Sequence, residues 1–222
     1  MTNNDYRDFP KARGSKEKVQ VIFVLQDGQP IGYASFRRDS DWSDLGVASG
    51  SVTMREIFAE SDAALLALAR RLTTLDLTTS IKIWDRRMDD PLLWWAGGPR
   101  NINVRVGDSP WLRLVDVPRA LAQRGYASPV DVVLGIADAY CPWNSGRWRL
   151  TIDDAGQAHC SRTQDDADLE LPVQALAAAY LGGRSLVSQA PIHGVVDHTP
   201  GALTRLSRAM RSDIEPMGAI GF

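Results

Sequence analysis

Residues 19–26 (VQVIFVLQ) and 31–38 (IGYASFRR) are two runs rich in β-branched and aromatic side chains, with Asp27-Gly28 between them. That spacing predicts a β-hairpin. A third strand is expected at 51–58, where Val52, Met54, Glu56 and Phe58 alternate with Thr53, Arg55 and Ile57. Glu56 falls on the mostly apolar side, so the alternation gives the strand but not its buried face. Ser61-Asp62 then caps a helix running to about Asp76, and Leu65, Leu68, Ala69, Leu72 and Leu75 recur at three and four residues along one side. A strand is expected at 79–84. Asp90-Pro91 opens a short helix over LLWWAG, since proline suits a first helical position and aspartate caps it. Gly97-Gly98-Pro99 stops it, and extended structure resumes at 101–106 and 111–116.

After Asp116 the pattern restarts. A helix to Arg124, a strand at 129–136, the turn DAYCPWNSG and a strand at 147–152 follow in order. Strands are expected at 158–163 and 168–171. Two helices close the chain: 172–181, stopped by Gly182-Gly183, and 201–213, with Leu203, Leu206 and Met210 on one face. The expected fold class is α+β, a mixed sheet with packed helices followed by an α/β domain. The boundary is placed near Asp116, giving domains 1–116 and 117–222, with residues 1–18 as a polar N-terminal arm.

With 222 residues, 44% of them hydrophobic and 23% charged, the chain is long enough for one large domain or two modest ones. A formal net charge of −2 gives no global reason to expect nucleic acid or an anionic membrane as a partner. No apolar run approaches the roughly 18 residues of a membrane span, and no signal-peptide core is visible. Two cysteines, Cys141 and Cys160, match no zinc spacing, and a reducing, cytoplasmic location is the expectation.

The chemical candidates are weak one by one. His159 and Cys160 are adjacent within an expected strand and point to opposite faces. His193 and His198 sit in an expected loop without a helical metal motif, so no metal site is expected. Cys141 reads as a packed thiol. The tryptophans, Trp94, Trp95, Trp111, Trp143 and Trp148 among them, read as core packing rather than pocket lining. Gly97-Gly98 and Gly182-Gly183 follow helices instead of opening them, the wrong end for an anion.

Four stretches carry more together than singly: DDPLLWWAGGPRNINVRVGDSPWLRLVDVPRAL (89–121), VDVVLGIADAYCPWNSGRWRL (130–150), DDADLELPVQALAAAYLGG (165–183) and the terminal IGF. In this order they resemble the Eis-type (enhanced intracellular survival) N-acetyltransferases of actinobacteria, over essentially residues 19–222. The resemblance implies three parts: a catalytic GNAT domain, a second GNAT-like domain that binds no cofactor, and a domain resembling sterol carrier proteins. It implies acetyl transfer from acetyl-CoA to amines of aminoglycoside or lysine type, by hexamers. Residues 1–116 resemble the second part and 117–222 the third, so the N-terminal GNAT catalytic domain is expected to be absent and the chain alone inactive. GNAT enzymes hold the CoA pyrophosphate on a turn of the form Arg/Gln-x-x-Gly-x-Gly/Ala at a helix start. This sequence is expected to lack that turn, so no cofactor is expected on this chain.

One catalytic group is carried over from the resemblance: the C-terminal carboxylate, here that of Phe222, as general base. An ordinary α-carboxyl, with a pKa of about 3.3 to 3.7, is a weak base unless burial raises it. Gly218 and Gly221 let the tail thread into a narrow site. The alternative function is a non-enzymatic, sterol-carrier-like module holding an apolar ligand among Trp143, Trp148, Leu176 and Tyr180.

Overall fold

The computed structural model describes residues 18–107 and 111–218. Its contacts divide the chain into two compact units that meet between Val106 and Gly107. Residues 111–116, which the sequence put before the boundary at Asp116, therefore belong with the second unit.

The first unit is built on a four-stranded sheet. Strands β1 (Gln20–Gln26), β2 (Gln29–Asp39) and β3 (Gly50–Ala59) run antiparallel, and β4 (Thr78–Lys82) joins parallel to β3 after helix α1 (Asp62–Thr73). Asp27 and Gly28 both have positive φ, 50° and 79°, which matches the turn twist to that of the flanking strands. The irregular alternation in β3 has a physical cause. Ser35 pairs with Glu56 but the next residue, Phe36, pairs with Met54, so Arg55 is an extra residue and the strand bulges there. One extra residue exchanges the faces. Val52 and Met54 point into the core before the bulge, and Ile57 and Ala59 pack against it afterwards. Glu56 is thus turned outward, and Phe58 joins Phe23 and Tyr33 in an aromatic row across three strands.

Helix α1 covers the inner face with Leu68 and Leu72, fully buried against Ala34, Phe36 and Val52. The Ser61 hydroxyl accepts from the Ala64 amide and so caps its start. Helix α2 (Pro91–Trp95) is capped by Asp90 in the same way, through Leu92. The extended structure expected at 101–106 does not form a strand: residues 101–103 are a turn and 104–107 join no ladder.

The second unit is a five-stranded sheet in the order β7, β6, β5, β8, β9. Its strands are β5 (Val130–Ala137), β6 (Gly146–Ile152), β7 (Ala158–Arg162), β8 (Leu169–Pro172) and β9 (Val196–Asp197), and β8 runs parallel to β5. Helices α3 (Val117–Gln123), α4 (Val173–Ala179), α5 (Leu186–His193) and α6 (Ala202–Ala209) complete it. Leu121, Leu134, Leu150, Leu169, Leu176 and Leu206 are each fully buried in one core.

Four expectations differ from the structure. Residues 111–116 form no strand. Helix α5 was missed: it contains Pro191, has no clear apolar stripe, and ends at Gly194 with φ 67°. His193 is accordingly the last residue of a helix and not part of a loop, while His198 follows the two-residue β9. The tryptophans are mostly outside the core. Trp148 is 7% exposed, whereas Trp94 and Trp111 are 69% and 86% exposed. Among the described residues no helix is long and apolar enough to cross a membrane.

Leu134 lies at the centre of the second sheet, between Trp148 on β6 and Leu169 on β8. Leu134→Ala is expected to destabilise that unit by about 3 kcal/mol, measured as a lowered midpoint in urea denaturation.

Candidate functional site

The turn between β5 and β6 carries a dense set of hydrogen bonds. Asp138 is buried, and its carboxylate accepts from the amides of Tyr140 and Cys141 at 3.0 Å each, from Arg113 Nη2 at 2.5 Å and from Asn144 Nδ2 at 3.0 Å. Burial alone would raise its pKa. The bonds from Asn144, Cys141, Arg113 and Tyr140 overcome that and hold the carboxyl down at about 2.

Asn144, fully buried, is the hub. Its Oδ1 accepts from the Val117 amide at 3.0 Å, and its Nδ2 donates to Asp138 and to the carbonyls of Leu114 and Val115. It therefore satisfies backbone groups of residues 114–117 that have no strand partner, and it fixes the start of α3. Trp148 Nε1 donates to the Asn144 carbonyl at 2.8 Å, and Trp143 Nε1 to the Val115 carbonyl at 2.8 Å. Arg162 lies over the Trp148 ring, 4.4 Å from its centroid, and donates to the Trp143 carbonyl. Pro142–Asn144 form a single 3-10 turn, and Gly146 has φ 128°.

The side chains expected to contact an apolar ligand also have partners within the fold. Trp148 packs in the core, while Trp143 is 57% exposed. Tyr180 follows α4, and its hydroxyl donates to the Ala120 carbonyl at 3.0 Å. An open groove of about 590 Å³ lies elsewhere, at the far ends of β5, β6 and β7, lined by Asp131, Asp153 and His159 among others, and none of these three aromatics lines it. Phe222 lies outside the described residues, as does most of the N-terminal arm. Sequence reasoning missed Asp138 as a buried charge and Asn144 as more than a turn residue. An aspartate and an asparagine six apart around a proline were the available signal.

Thiol and metal chemistry find little support in these positions. Burial pushes the Cys160 thiol up to about 12, so it stays protonated at neutral pH. His159 and Cys160 face opposite sides of β7, with Cys160 against the core. His198 stands 3.4 Å from Glu170. Among the described residues no group of three or more His, Cys, Asp or Glu is placed to hold a metal ion.

For a CoA pyrophosphate, the relevant place is a strand-to-helix turn such as that between β3 and α1. Here Glu60 and Asp62 flank Ser61, whose hydroxyl already caps the helix. Two carboxylates at this end oppose an anion, so these residues do not fit the group. The letters Gln29-Pro30-Ile31-Gly32-Tyr33-Ala34 do match the Gln-x-x-Gly-x-Ala pattern, which the sequence was expected to lack. They lie along β2 in the hairpin ladder and precede no helix, so the match is one of letters only.

Comparison with known proteins agrees with this two-part architecture. A model of the acetyltransferase (GNAT) domain matches residues 3–122, and one of the sterol carrier protein domain matches 117–218. The chain belongs to the Eis-like GNAT N-acetyltransferases that carry a sterol carrier protein domain. An uncharacterized N-acetyltransferase of Streptomyces avermitilis is 43% identical over 210 residues, 95% of this chain and 51% of that protein. The N-acetyltransferase Eis of Mycobacterium tuberculosis is 33% identical over 197 residues, 87% of this chain and 46% of its own length. Among solved structures, Eis1 from Mycobacterium abscessus superposes with a TM-score of 0.75 at 29% identity, covering 94% of this chain and 51% of that one. The chain spans about half the length of the curated relatives it matches. One expectation is overturned. A GNAT domain is not absent from the chain, nor is the chain restricted to a second, GNAT-like part, since the acetyltransferase model matches from residue 3.

Asn144→Ala leaves the Val117 amide and one Asp138 oxygen without their partner and is expected to lower stability by about 3 kcal/mol, measured by chemical denaturation. The pH dependence of Asp138 has a definite sign. Its folded pKa lies below the ordinary value of 3.8. Its contribution is complete above about pH 4 and is lost as pH falls through about 2. Asp165 and Asp168 are also held low and titrate in parent and variant alike. Asp138→Asn is therefore expected to be less stable at pH 6, with the difference from the parent narrowing toward pH 2, as read from thermal midpoints at both pH values.

Proposed function

We propose that this chain serves an Eis-type acetyl transfer from acetyl-CoA to a primary amine of aminoglycoside or lysine type, in the cytoplasm, as a homo-oligomer. What supports the reading is one observation: a GNAT unit followed by a sterol-carrier unit, with likeness to N-acetyltransferases along 95% of the chain.

In this reading the chain contributes scaffold, subunit contacts and a base. The base is the α-carboxylate of Phe222, which accepts a proton from the acceptor amine. An α-carboxylate is basic enough for that work only where burial raises its pKa from the ordinary 3.3 to 3.7, roughly. No step is assigned to residues at the β3–α1 turn, whose charge opposes the CoA pyrophosphate.

The test is acetyl transfer to an aminoglycoside and to a lysine peptide, followed as CoA release. It is run on this chain and on the chain joined to the half of its relatives' length that it does not match. Absence of transfer in both would overturn the reading. Adding a single glycine after Phe222 moves the carboxylate by about 3.5 Å and is expected to lower kcat about a hundredfold. A variant with an unchanged kcat would remove the terminal carboxylate from the mechanism.

A further inference from the structure

The chain leaves α6 through residues 210–218, and its path is fixed at two places. At the root, Arg124 Nη2 donates to the Met210 carbonyl at 2.6 Å, and the Ala127 amide donates to the Ala209 carbonyl at 2.8 Å. The Arg124 guanidinium itself lies over the rings of Tyr126 and Tyr180, 4.6 and 5.5 Å from their centroids.

Beyond the root, the chain crosses Gly182 and Gly183 just after α4. A Cβ on Gly182 would lie 2.8 Å from both the amide nitrogen and the Cβ of Ser212, and 3.0 Å from the Met210 carbonyl oxygen. A Cβ on Gly183 would lie 2.5 Å from Pro216 Cδ and 2.5 Å from Glu215 Oε2. Real Cβ atoms do not approach other atoms so closely, so both positions must be bare for the chain to pass. Gly182, at φ 84°, also needs glycine for its backbone, whereas Gly183 has no positive φ. The need at Gly183 is thus one of space for the tail.

Backbone contacts hold the crossing. The Ser212 amide donates to the Gly182 carbonyl at 3.3 Å, and Arg211 donates to the Gly183 carbonyl while reaching Glu215 at 3.7 Å. The Ser212 hydroxyl accepts from the Ile214 amide, which tightens the turn.

We infer that Gly182 and Gly183 form a saddle for residues 210–218, with Arg211 as its clasp, and that Gly183 and Arg211 are positioning residues that set the direction in which this segment leaves the domain. The saddle stands on the contacts above. Its importance for acetyl transfer rests on the reading that the Phe222 carboxylate is the base.

Gly183→Ala tests it, since alanine suits the backbone there and adds only the colliding methyl. Hydrogen exchange over residues 211–218 is expected to quicken about tenfold, with the thermal midpoint and the exchange of β5 and β6 unchanged. In the transfer assay kcat is expected to fall about a hundredfold with KM for the acetyl donor unchanged. Adding Pro216→Ala, which removes the ring from the collision, is expected to restore both. Tail exchange that stays at the parent rate would overturn the saddle. A loosened tail with an unchanged kcat would keep the saddle and sink the terminal-carboxylate reading instead, so the two failures are told apart. Should Gly183→Ala not fold, Arg211→Ala removes the clasp from an exposed position. Quickened tail exchange in that variant supports the saddle, and unchanged exchange overturns it.

Discussion

A carboxylate taken out of water must be matched by donors, and the second unit is arranged around one such carboxylate. Asp138 receives two backbone amides, a guanidinium and a side-chain amide. Each donor belongs to a stretch that would otherwise have no reason to stop where it does. The two amides fix the turn after β5, Arg113 brings in the strand-less segment before α3, and Asn144 joins the two. Because Asn144 also accepts from Val117 and donates to Leu114 and Val115, one side chain satisfies backbone groups some thirty positions away. Leu114, Val115 and Val117 are held by that side chain and not by a sheet ladder. Trp148 then carries the arrangement into the core through its bond to the Asn144 carbonyl.

Elements whose cause is local could be read from the chain. The Asp27-Gly28 hairpin, the Ser61 cap, the leucine stripe of α1 and the Asp90-Pro91 start all depend on residues within a turn or two of one another. What escaped depends on partners far away in sequence. The bulge at Arg55 exists only relative to β2, and without it the position of Glu56 looked like an error of pattern. Residues 111–116 have the composition of a strand, but the carbonyls of Leu114 and Val115 are bonded by Asn144 and Trp143 and not by a neighbouring ladder. Helix α5 escaped for a different reason, since an internal proline and a short apolar run obscure the helical period.

The same division separates what was legible at the candidate site. The ordered stretches from residue 89 onward marked the family, and the two-part architecture follows from it. The surroundings of single side chains were less legible. Trp143, Trp148 and Tyr180 suggest an apolar ligand cluster because aromatic letters fall close together, and the structure adds that each polar tip is bonded to a backbone carbonyl. Conversely, Gln29 to Ala34 spells a phosphate-turn pattern within a hairpin strand, where no helix start exists to give it meaning. Letters gain chemistry only with the secondary structure that aims their amides.

A terminal carboxylate differs from every side-chain base in how it is placed. It has no rotamer of its own beyond the last residue, so its position is set by the path of the backbone leading to it. Devices suited to that task grip backbone and leave side chains free, and those found between Met210 and Pro216 are of that kind. Arg124 and Arg211 donate to main-chain carbonyls, the Ser212 amide bonds to Gly182, and the two glycines give room by having no side chain at all. In the sequence Gly182-Gly183 marks only the end of α4. Its second use, room for residues 210–216, needs a segment some thirty residues downstream, so a helix stop and a passage for a later segment share two glycines without the sequence distinguishing them.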